Sequence, residues 1–398
     1  MSKSNETTPN VPTLRFPNYS GEWQVSSMGK VCTFRKGYGI SKENLSSDGT
    51  PCVLYGELYT TYKTAIAKRI KSKTSLDPTT LFHSKKNDVI IPCSGETAED
   101  IATSVCIPYD DILLGGDLTV IRGDLDGAFL SNQINSVRKY DIARIAQGKS
   151  IVHLQADELK KISIAYPTIE EQQKISGFID KIDERIEVQN KIISKYETLI
   201  KGLSCDYFSK QPNHIAKLKD LIIKGKAGGT PSSTIAEYYN GNIPFLSISD
   251  MTRQGKYVEF TEKHISENGL ANSSAWIVPS NSLILSMYAS VGLVCINKVP
   301  LATSQAMFSM MLKDCDMLDY IYYYLNFFRE TQIHRLLETG TQSNINADTV
   351  RDIEIPFYSN ILVFVKTLQA IENRLNNEKD MLSRLMDLKT YLLSSLFI

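Results

Sequence analysis

A 4-3-4-3 alternation of apolar residues runs through Ile175, Ile179, Ile182, Ile186, Ile193, Tyr196, Ile200, Leu203 and Tyr207, interrupted only by Gln189. This is the a/d seam of a coiled coil, and one helix cannot bury such a seam by itself. Moving 189 positions along the chain, from Ile175 to Phe364, gives Phe364, Leu368, Ile371, Leu375, Glu378, Leu382, Leu385, Lys389, Leu392 and Leu396, the same seam with Glu378 standing where Gln189 stood. The two runs also end alike, in Tyr207-Phe208 and Leu396-Phe397. A shared helical period would not by itself reproduce the position of a polar break or a terminal aromatic. The chain is therefore read as a duplication.

The flanks extend the repeat. Ala156-Asp157 through Ile162-Ser163-Ile164 and Pro167 corresponds to Ala347-Asp348 through Ile353-Glu354-Ile355 and Pro356, and Asn132-Gln133 is matched to Ser304-Gln305. A length of 398 residues suits several domains rather than one core. The expected division is a globular domain over 1–167, a long helix over 168–208, a second globular domain over 209–356 and a second long helix over 357–398. The linker Ser209-Lys210-Gln211-Pro212-Asn213 marks the clearest boundary. The globular parts are rich in β-branched and aromatic residues with Gly, Asn and Ser turn signals, and carry short helical patterns such as Leu318 to Leu337. The fold class that follows is α+β: two duplicated mixed α/β domains separated by a pair of long antiparallel coiled-coil helices. Each helix, counted from Glu170 to Ser204, would extend about 50 Å. The seam residues are Ile179, Ile182, Ile186, Gln189 and Ile193 on the first helix and Leu368, Ile371, Leu375, Glu378 and Leu382 on the second, with Gln189 and Glu378 expected to meet as a buried polar pair that excludes slipped registers.

Reactive chemistry is hard to find. Gly225-Lys226-Ala227-Gly228-Gly229-Thr230 has its glycines and lysine in the wrong order for a nucleotide-binding loop. The five histidines are isolated, and the seven cysteines are scattered without a Cys-x-x-Cys pair, which argues against a zinc site or a disulfide framework and favours a reducing cytoplasm. Asn242-Ile243-Pro244-Phe245 superficially resembles the corner that grips a target adenine in methyltransferases, but no glycine-rich Rossmann turn accompanies it. Glu158-Leu159-Lys160 fits a nuclease tripeptide of a kind that arises by chance. No catalytic residue and no metal ligand is assigned. The polar start of the sequence has no apolar signal core, and the apolar run near Ala275 to Val299 is interrupted by Pro279, Asn281 and Lys298, so neither secretion nor a membrane span is expected.

Charge is informative only locally, because 44 Lys plus Arg balance 44 Asp plus Glu. From Lys30 to Lys86 the chain is basic, with Lys30, Arg35, Lys36, Lys42, Lys63, Lys68, Arg69, Lys71, Lys73, Lys85 and Lys86 against Glu43, Asp48, Glu57 and Asp77. Tyr55, Tyr59 and Tyr62 interleave with these bases, as a phosphate-gripping surface requires. Lys217, Lys219, Lys224, Lys226, Arg253 and Lys256 form a weaker counterpart in the second domain.

With these residues in view, the chain resembles the specificity subunits of type I restriction-modification systems over nearly its whole length. The resemblance rests in the second domain on Gly228-Gly229-Thr230-Pro231-Ser232, Tyr238-Tyr239, Gly241 to Phe245, Ser247-Ile248-Ser249-Asp250, Gly269-Leu270, Ser273-Ser274, Ser286-Met287-Tyr288-Ala289 with Gly292, and Thr303-Ser304-Gln305. In the first domain it rests on Leu54 to Tyr62, Pro92 to Thr97 and Ser131-Asn132-Gln133, and at the helix start on Pro167 to Ile175. The second helix start, Pro356 to Ile361, lacks the Glu171-Gln172 pair of the first, and Phe245 stands where tryptophan is usual.

The resemblance implies that each globular part is a target recognition domain reading one half of a two-part site in double-stranded DNA, with the helices fixing a gap of no more than roughly 15 base pairs. It also implies two methyltransferase subunits docked on the helices and recruitment of a restriction and translocase subunit. S-adenosylmethionine, ATP and magnesium would then belong to those partners, none being bound by this chain. Side chains that pair with base edges or phosphates are needed. The candidates are Lys63, Lys68, Arg69 and Lys71 in the first domain, and Lys226, Ser232, Ser249, Arg253 and Ser290 in the second. The alternatives are a specificity subunit serving a fused methyltransferase-nuclease partner, a coiled-coil scaffold without a DNA role, and a self-contained methyltransferase.

Overall fold

The computed structural model of the chain describes residues 10–148, 151–336 and 344–398. The chain divides into two compact units, Met1–Ile192 with Glu378–Ile398, and Ile193–Asn377. Each takes part of both long helices, Ile169–Phe208 and Ile361–Ser395, so the helices are shared between the units and do not stand apart from them as the four-part division expected. The pattern that predicted a helix from Leu318 onward gives one over Leu318–Thr331, and Leu337 lies outside the described residues.

In the first unit, strand Gln24–Ser27 pairs antiparallel with Ser163–Tyr166, the strand leading into the first long helix. A four-stranded sheet follows in the order Cys32–Lys36, Leu118–Gly123, Asp88–Pro92, Val105–Ile107. Asp88 to Pro92 is buried on both faces, so its Val89, Ile90 and Ile91 form a continuous apolar run rather than an alternating one. A second sheet, in the order Leu45–Ser46, Ser72–Thr74, Thr50–Val53, Leu113–Leu114, has one parallel pair, with Cys52 opposite Leu113 and Val53 opposite Leu114.

The second unit repeats this plan. His214–Lys217 pairs with Glu354–Phe357 ahead of the second long helix. A five-stranded sheet runs Ile222–Ala227, Met307–Leu312, Leu283–Ser286, Val294–Asn297, Tyr257–Val258. A smaller sheet again holds a parallel pair, with Phe245 opposite Ala302 and Leu246 opposite Thr303. The helix after the main sheet is Gly127–Asn135 in one unit and Leu318–Thr331 in the other, and each receives a terminal aromatic of a long helix: Phe397 lies 5.1 Å from Phe129, and Phe208 lies 5.8 Å from Tyr320.

One expected correspondence fails. Asn132 and Gln133 are buried on the helix Gly127–Asn135, where the Gln133 amide donates to Ala165 O at 2.7 Å, whereas Ser304-Gln305 forms a turn between strands. The strand pairings place Gly115-Gly116 at the position of Ser304-Gln305, because each pair follows the short parallel strand and precedes the central one. Local composition misled here because Asn-Gln and Ser-Gln look alike, while the equivalence is fixed by pairing partners distant in sequence.

Within the first unit the helix segments run antiparallel. The Gln189 amide donates to Glu378 Oε2 at 2.5 Å and to Glu378 O at 3.0 Å, with Gln189 only 5% exposed. About three turns beyond Glu378, Lys389 occupies a seam position and reaches the buried Asp183 at 2.6 Å. Burial pushes the Asp183 carboxyl above its ordinary pKa, and Lys389 offsets only part of that rise. Ile175, Ile179, Leu392 and Leu396 close this end of the seam. In the second unit Tyr207 stacks on Phe364 at 3.8 Å, and Ile200 and Leu203 pack in one core with Leu368 and Ile371.

Replacing both Gln189 and Glu378 by Leu should raise the melting temperature, since an apolar layer of similar volume commonly outperforms a buried polar pair by about 1–4 kcal/mol. Lys389→Leu alone should do the reverse by about 3 kcal/mol, because it leaves the buried Asp183 carboxylate without its counter-charge. Thermal and urea unfolding of the two variants beside the parent chain check both signs.

Candidate nucleic-acid interface

Motifs far apart in sequence meet at the end of each parallel strand pair. In the second unit Leu246 and Thr303 are neighbours, so the segments leaving them, Ser247–Ser249 and Ser304–Gln305, start side by side. The glycine pair joins them: Gly229 N donates to Thr303 O at 2.9 Å, and Gly228 N donates to Met307 O at 3.2 Å. A Cβ on Gly228 would fall 2.0 Å from Thr303 O and one on Gly229 would fall 2.2 Å from Ser274 Oγ, which explains why side chains are excluded there. The Thr230 hydroxyl then donates to Gln305 Oε1 at 2.5 Å. Met287 N donates to Ala306 O at 2.7 Å and brings in the fourth segment, Tyr288–Gly292.

That fourth segment is held in an uncommon conformation. Ala289 and Ser290 have φ of 39° and 51°, in the left-handed region. The buried Ser286 hydroxyl lies 2.6 Å from Tyr288 O and 2.9 Å from Ala289 O, which ties the carbonyls inward. Across the cluster, Ser247 caps the helix Ile248–Gln254 in a capping box with the fully buried Asp250. The result is a rim of exposed Thr230, Ser232, Ser249, Tyr288, Ser290 and Gln305, all able to donate or accept hydrogen bonds.

The first unit builds the same node with other side chains. Gly37 N donates to Leu118 O at 3.0 Å, Tyr38 N to Leu114 O at 3.2 Å, and Cys93 N to Asp117 O at 2.7 Å, which repeat the bonds of Gly228, Gly229 and Met287. Leu54 N donates to Glu57 Oε2 at 2.8 Å, as Ser247 N does to Asp250 Oδ2 at 3.1 Å. The central turn is Gly115-Gly116, and Tyr38, 52% exposed, takes the place of Gly229.

The candidate cations divide by what they touch. Lys63 is exposed, with its ammonium 3.3 Å from Tyr59 O. Lys71 is exposed and precedes Ser72, which pairs with Cys52 beside the node. Arg69 is exposed and close enough to the long helix to contribute, after Lys191, to lowering the pKa of the Glu187 carboxyl. Lys68 is committed elsewhere, to Asp180 at 2.5 Å and Glu184 at 3.0 Å on the first long helix. Glu184, bonded by Lys181 and Lys68, is held down to about 2. In the second unit Lys226 is exposed on the strand leading into Gly228, and the hydroxyls of Ser232 and Ser249 pair locally with Thr234 and Ser247 at 2.8 Å. The Arg253 guanidinium is matched by Asp250 at 2.9 Å and Glu262 at 2.8 Å, and stacks 5.3 Å from the centre of the Phe260 ring.

Lys256, counted among the bases of the second domain, is an anchor. Its side chain is 10% exposed, and its ammonium lies 2.8 Å from Asp319 and 2.6 Å from Glu372 on the second long helix. Burial pulls its pKa down, but the two carboxylates outweigh that and the net shift is upward. Asn242 to Phe245, the segment resembling an adenine-gripping corner, lies inside the strand Tyr239–Leu246, with Pro244 paired to His264, and so forms no loop around a substrate. Among the described residues no group of three or more His, Cys, Asp or Glu is placed to hold a metal ion.

The Glu171-Gln172 pair at the first helix start is also internal. Arg15 forks onto Glu171 at 2.8 Å, and Gln172 accepts from Asp126 N at 2.9 Å and donates to Pro167 O at 2.8 Å. Both residues are at most 2% exposed, so they fix the helix on its domain and present nothing outward.

A sequence model described as the type I restriction modification DNA specificity domain matches residues 20–198 and again residues 212–379. The chain belongs to that family. The matched spans coincide with the two structural repeats and each contains one node. Among curated relatives, the MjaIX specificity subunit of Methanocaldococcus jannaschii is 30% identical over 147 residues, 36% of this chain and 34% of its own length. The HindI specificity subunit of Haemophilus influenzae is 31% identical over 180 residues, 43% and 38% of the two chains. These alignments thus span little more than a third of either relative. At the level of fold, the type I S subunit from M. genitalium superposes with a TM-score of 0.63 over 98% of this chain and 99% of that one at 16% identity. A chain from a structure of type I restriction-modification complex assembly gives 0.58 over 94% and 97%, also at 16% identity. The named relatives are specificity subunits of type I restriction enzymes. No helix among the described residues is long and apolar enough to cross a membrane.

The two anchoring lysines should behave differently on removal. Lys256→Met leaves Asp319 and Glu372 largely buried without a cation and should cost about 3 kcal/mol, whereas Lys68→Met, in a pair that is 40% exposed on the lysine side, should cost under about 1 kcal/mol. Urea midpoints at constant m-value distinguish the two.

Proposed function

We propose that this chain is the DNA sequence-specificity subunit of a type I restriction-modification complex, in which each node reads one half of a bipartite double-stranded target. The observation that carries this reading is the recurrence of one node, with identical backbone bonds and different side chains, in both family-matched repeats. A common scaffold with divergent rims suits two readers of unlike half-sites. Hydroxyls and the Gln305 amide supply donors and acceptors for base edges, and Lys63, Arg69, Lys71 and Lys226 supply charge toward phosphates. Lys68 and Arg253, already neutralised within the chain, contribute less to phosphate binding.

The same reading assigns the long helices to two tasks, docking of two methyltransferase subunits and setting the number of base pairs between half-sites. Methyl transfer, and any cleavage or translocation by restriction subunits, belongs to the partners, which would also hold S-adenosylmethionine, ATP and magnesium. A cytoplasmic location follows from access to the chromosome. The exposed polar rims favour this over a scaffold without a DNA role.

Mapping methylated adenines in cells with and without the gene tests the function: a two-part motif with a fixed gap should vanish on deletion, and an unchanged methylome refutes the reading. Tyr288→Ala with Gln305→Ala should relax recognition at one half-site and leave the other intact. Arg69→Ala with Lys71→Ala should instead weaken binding of the assembled complex to all sequences and reduce the salt slope by about one per charge. Inserting one heptad into each long helix should lengthen the gap without altering either half-site.

A further inference from the structure

The two nodes share their backbone bonds but carry their side chains at opposite places. The bonds from Tyr38 N to Leu114 O and from Gly229 N to Thr303 O set Gly115-Gly116 where the second unit has Ser304-Gln305. The parallel pairs likewise set Leu54 to Glu57 where it has Ser247 to Asp250. Gly56 and Gly116 therefore stand in for the rim residues Ser249 and Gln305, while Tyr38 stands in for Gly229, where a Cβ would clash. The fourth segment differs as well. Tyr288 is 41% exposed on its loop, whereas its counterpart Ser94 is buried, and Ser94-Gly95 pairs with the strand Val152–His153. At these places the polar rim of the second node gives way in the first to an aromatic ring beside bare backbone.

Part of that bareness is required by the fold. A Cβ on Gly115 would fall 2.7 Å from Leu54 Cδ2 and 2.9 Å from Ile40 O, and Gly39 has a φ of 83°. Gly56 and Gly116 have no such reason. Neither has a positive φ, Gly56 lying at −65°. The atoms nearest an added Cβ, Tyr59 Oη at 3.7 Å for Gly56 and Ile40 O at 3.9 Å for Gly116, leave it room. Glycine in such a place gives up stability relative to alanine, and close approach by another molecule is a physical reason to keep it. Tyr38 is equally without a task in the core. Its ring is half-exposed and braced edge to face by Phe82 at 6.1 Å, and its hydroxyl has no hydrogen-bond partner among the described residues.

We propose that the first node reads a thymine through its 5-methyl group, packed on the Tyr38 ring, with Gly56 and Gly116 left bare so that the duplex can come against the backbone. This rests on the functional reading above and names what one of its two sites recognises. The face of an aromatic ring offers no pattern of donors and acceptors, and the thymine methyl is the apolar feature that a base pair presents in the major groove. The brace from Phe82 holds the ring before binding, so little side-chain freedom is lost when it is covered. The second node, with Ser249, Ser290 and Gln305 on its rim, is suited instead to hydrogen-bonding edges.

The test uses the full-length chain assembled with the methyltransferase subunits of its own system, and a duplex carrying the two-part motif found in the methylome. Each thymine of either strand is replaced in turn by uracil, which lacks the methyl group. The half-site that matters is the one that Tyr288→Ala with Gln305→Ala leaves intact. One replacement there should weaken binding about fourfold, the worth of burying one methyl group. Tyr38→Ala should bind the thymine and uracil duplexes equally, and Tyr38→Phe should keep the parent's preference. Gly56→Ala with Gly116→Ala should leave the urea midpoint at or above the parent's and weaken binding to the motif about tenfold. A half-site that lacks thymine or is indifferent to uracil overturns the inference, as does a preference that survives Tyr38→Ala. Loss of the preference in Tyr38→Phe overturns it in favour of the hydroxyl, and full binding by the double-alanine variant overturns the close approach. A complex that binds no two-part duplex sinks the functional reading itself.

Discussion

An apolar stripe on a long helix cannot be buried by that helix alone, and here each repeat closes its part of the seam with residues far along the chain on the other long helix. Ile175 and Ile179 need Leu392 and Leu396, and Ile200 and Leu203 need Leu368 and Ile371. The core of either unit is therefore incomplete without a segment of the other long helix. Terminal aromatics extend this dependence into the domains, since Phe397 and Phe208 reach the helix behind the main sheet in their respective units.

Polar groups inside this apolar frame decide register and seating. The Gln189–Glu378 contact and the Lys389–Asp183 pair admit one alignment of the helix segments, because any slip would bury a charge or an amide without a partner. Lys68 and Lys256 then seat each domain on the helix that follows it, the former through an exposed pair and the latter through a nearly dry cluster that includes Tyr323, whose hydroxyl donates to Glu372 Oε2 at 2.5 Å. Two of the bases most naturally assigned to a ligand thus hold the scaffold together.

The duplication, the mixed architecture and the helix pairing were legible in the sequence because they depend on short-range periodicity, which survives in a one-dimensional reading. So was the meeting of Gln189 with Glu378, which follows from the seam alone. The site was legible only in part. Gly228-Gly229, Ser286 to Ala289 and Thr303 to Gln305 stand out as strings, but their convergence depends on strand pairings such as Leu246 with Thr303 that no local pattern specifies. Gly115-Gly116 was missed for that reason, and so was Tyr38, whose role is defined by a hydrogen bond to Leu114. Charge misled where it was read as surface: Lys256 sits in a basic window, yet the acids that bury it come from 63 and 116 residues downstream, at Asp319 and Glu372.

The left-handed loop at Ala289 and Ser290 has a consequence for how such a molecule can change. Its backbone is pinned from inside by Ser286, while Tyr288 and Ser290 project from it without supporting any core. Mutations at those two places would alter what the loop prefers to touch and cost the fold almost nothing. On the proposed reading of DNA, such a loop can drift toward new targets over generations while its frame stays still.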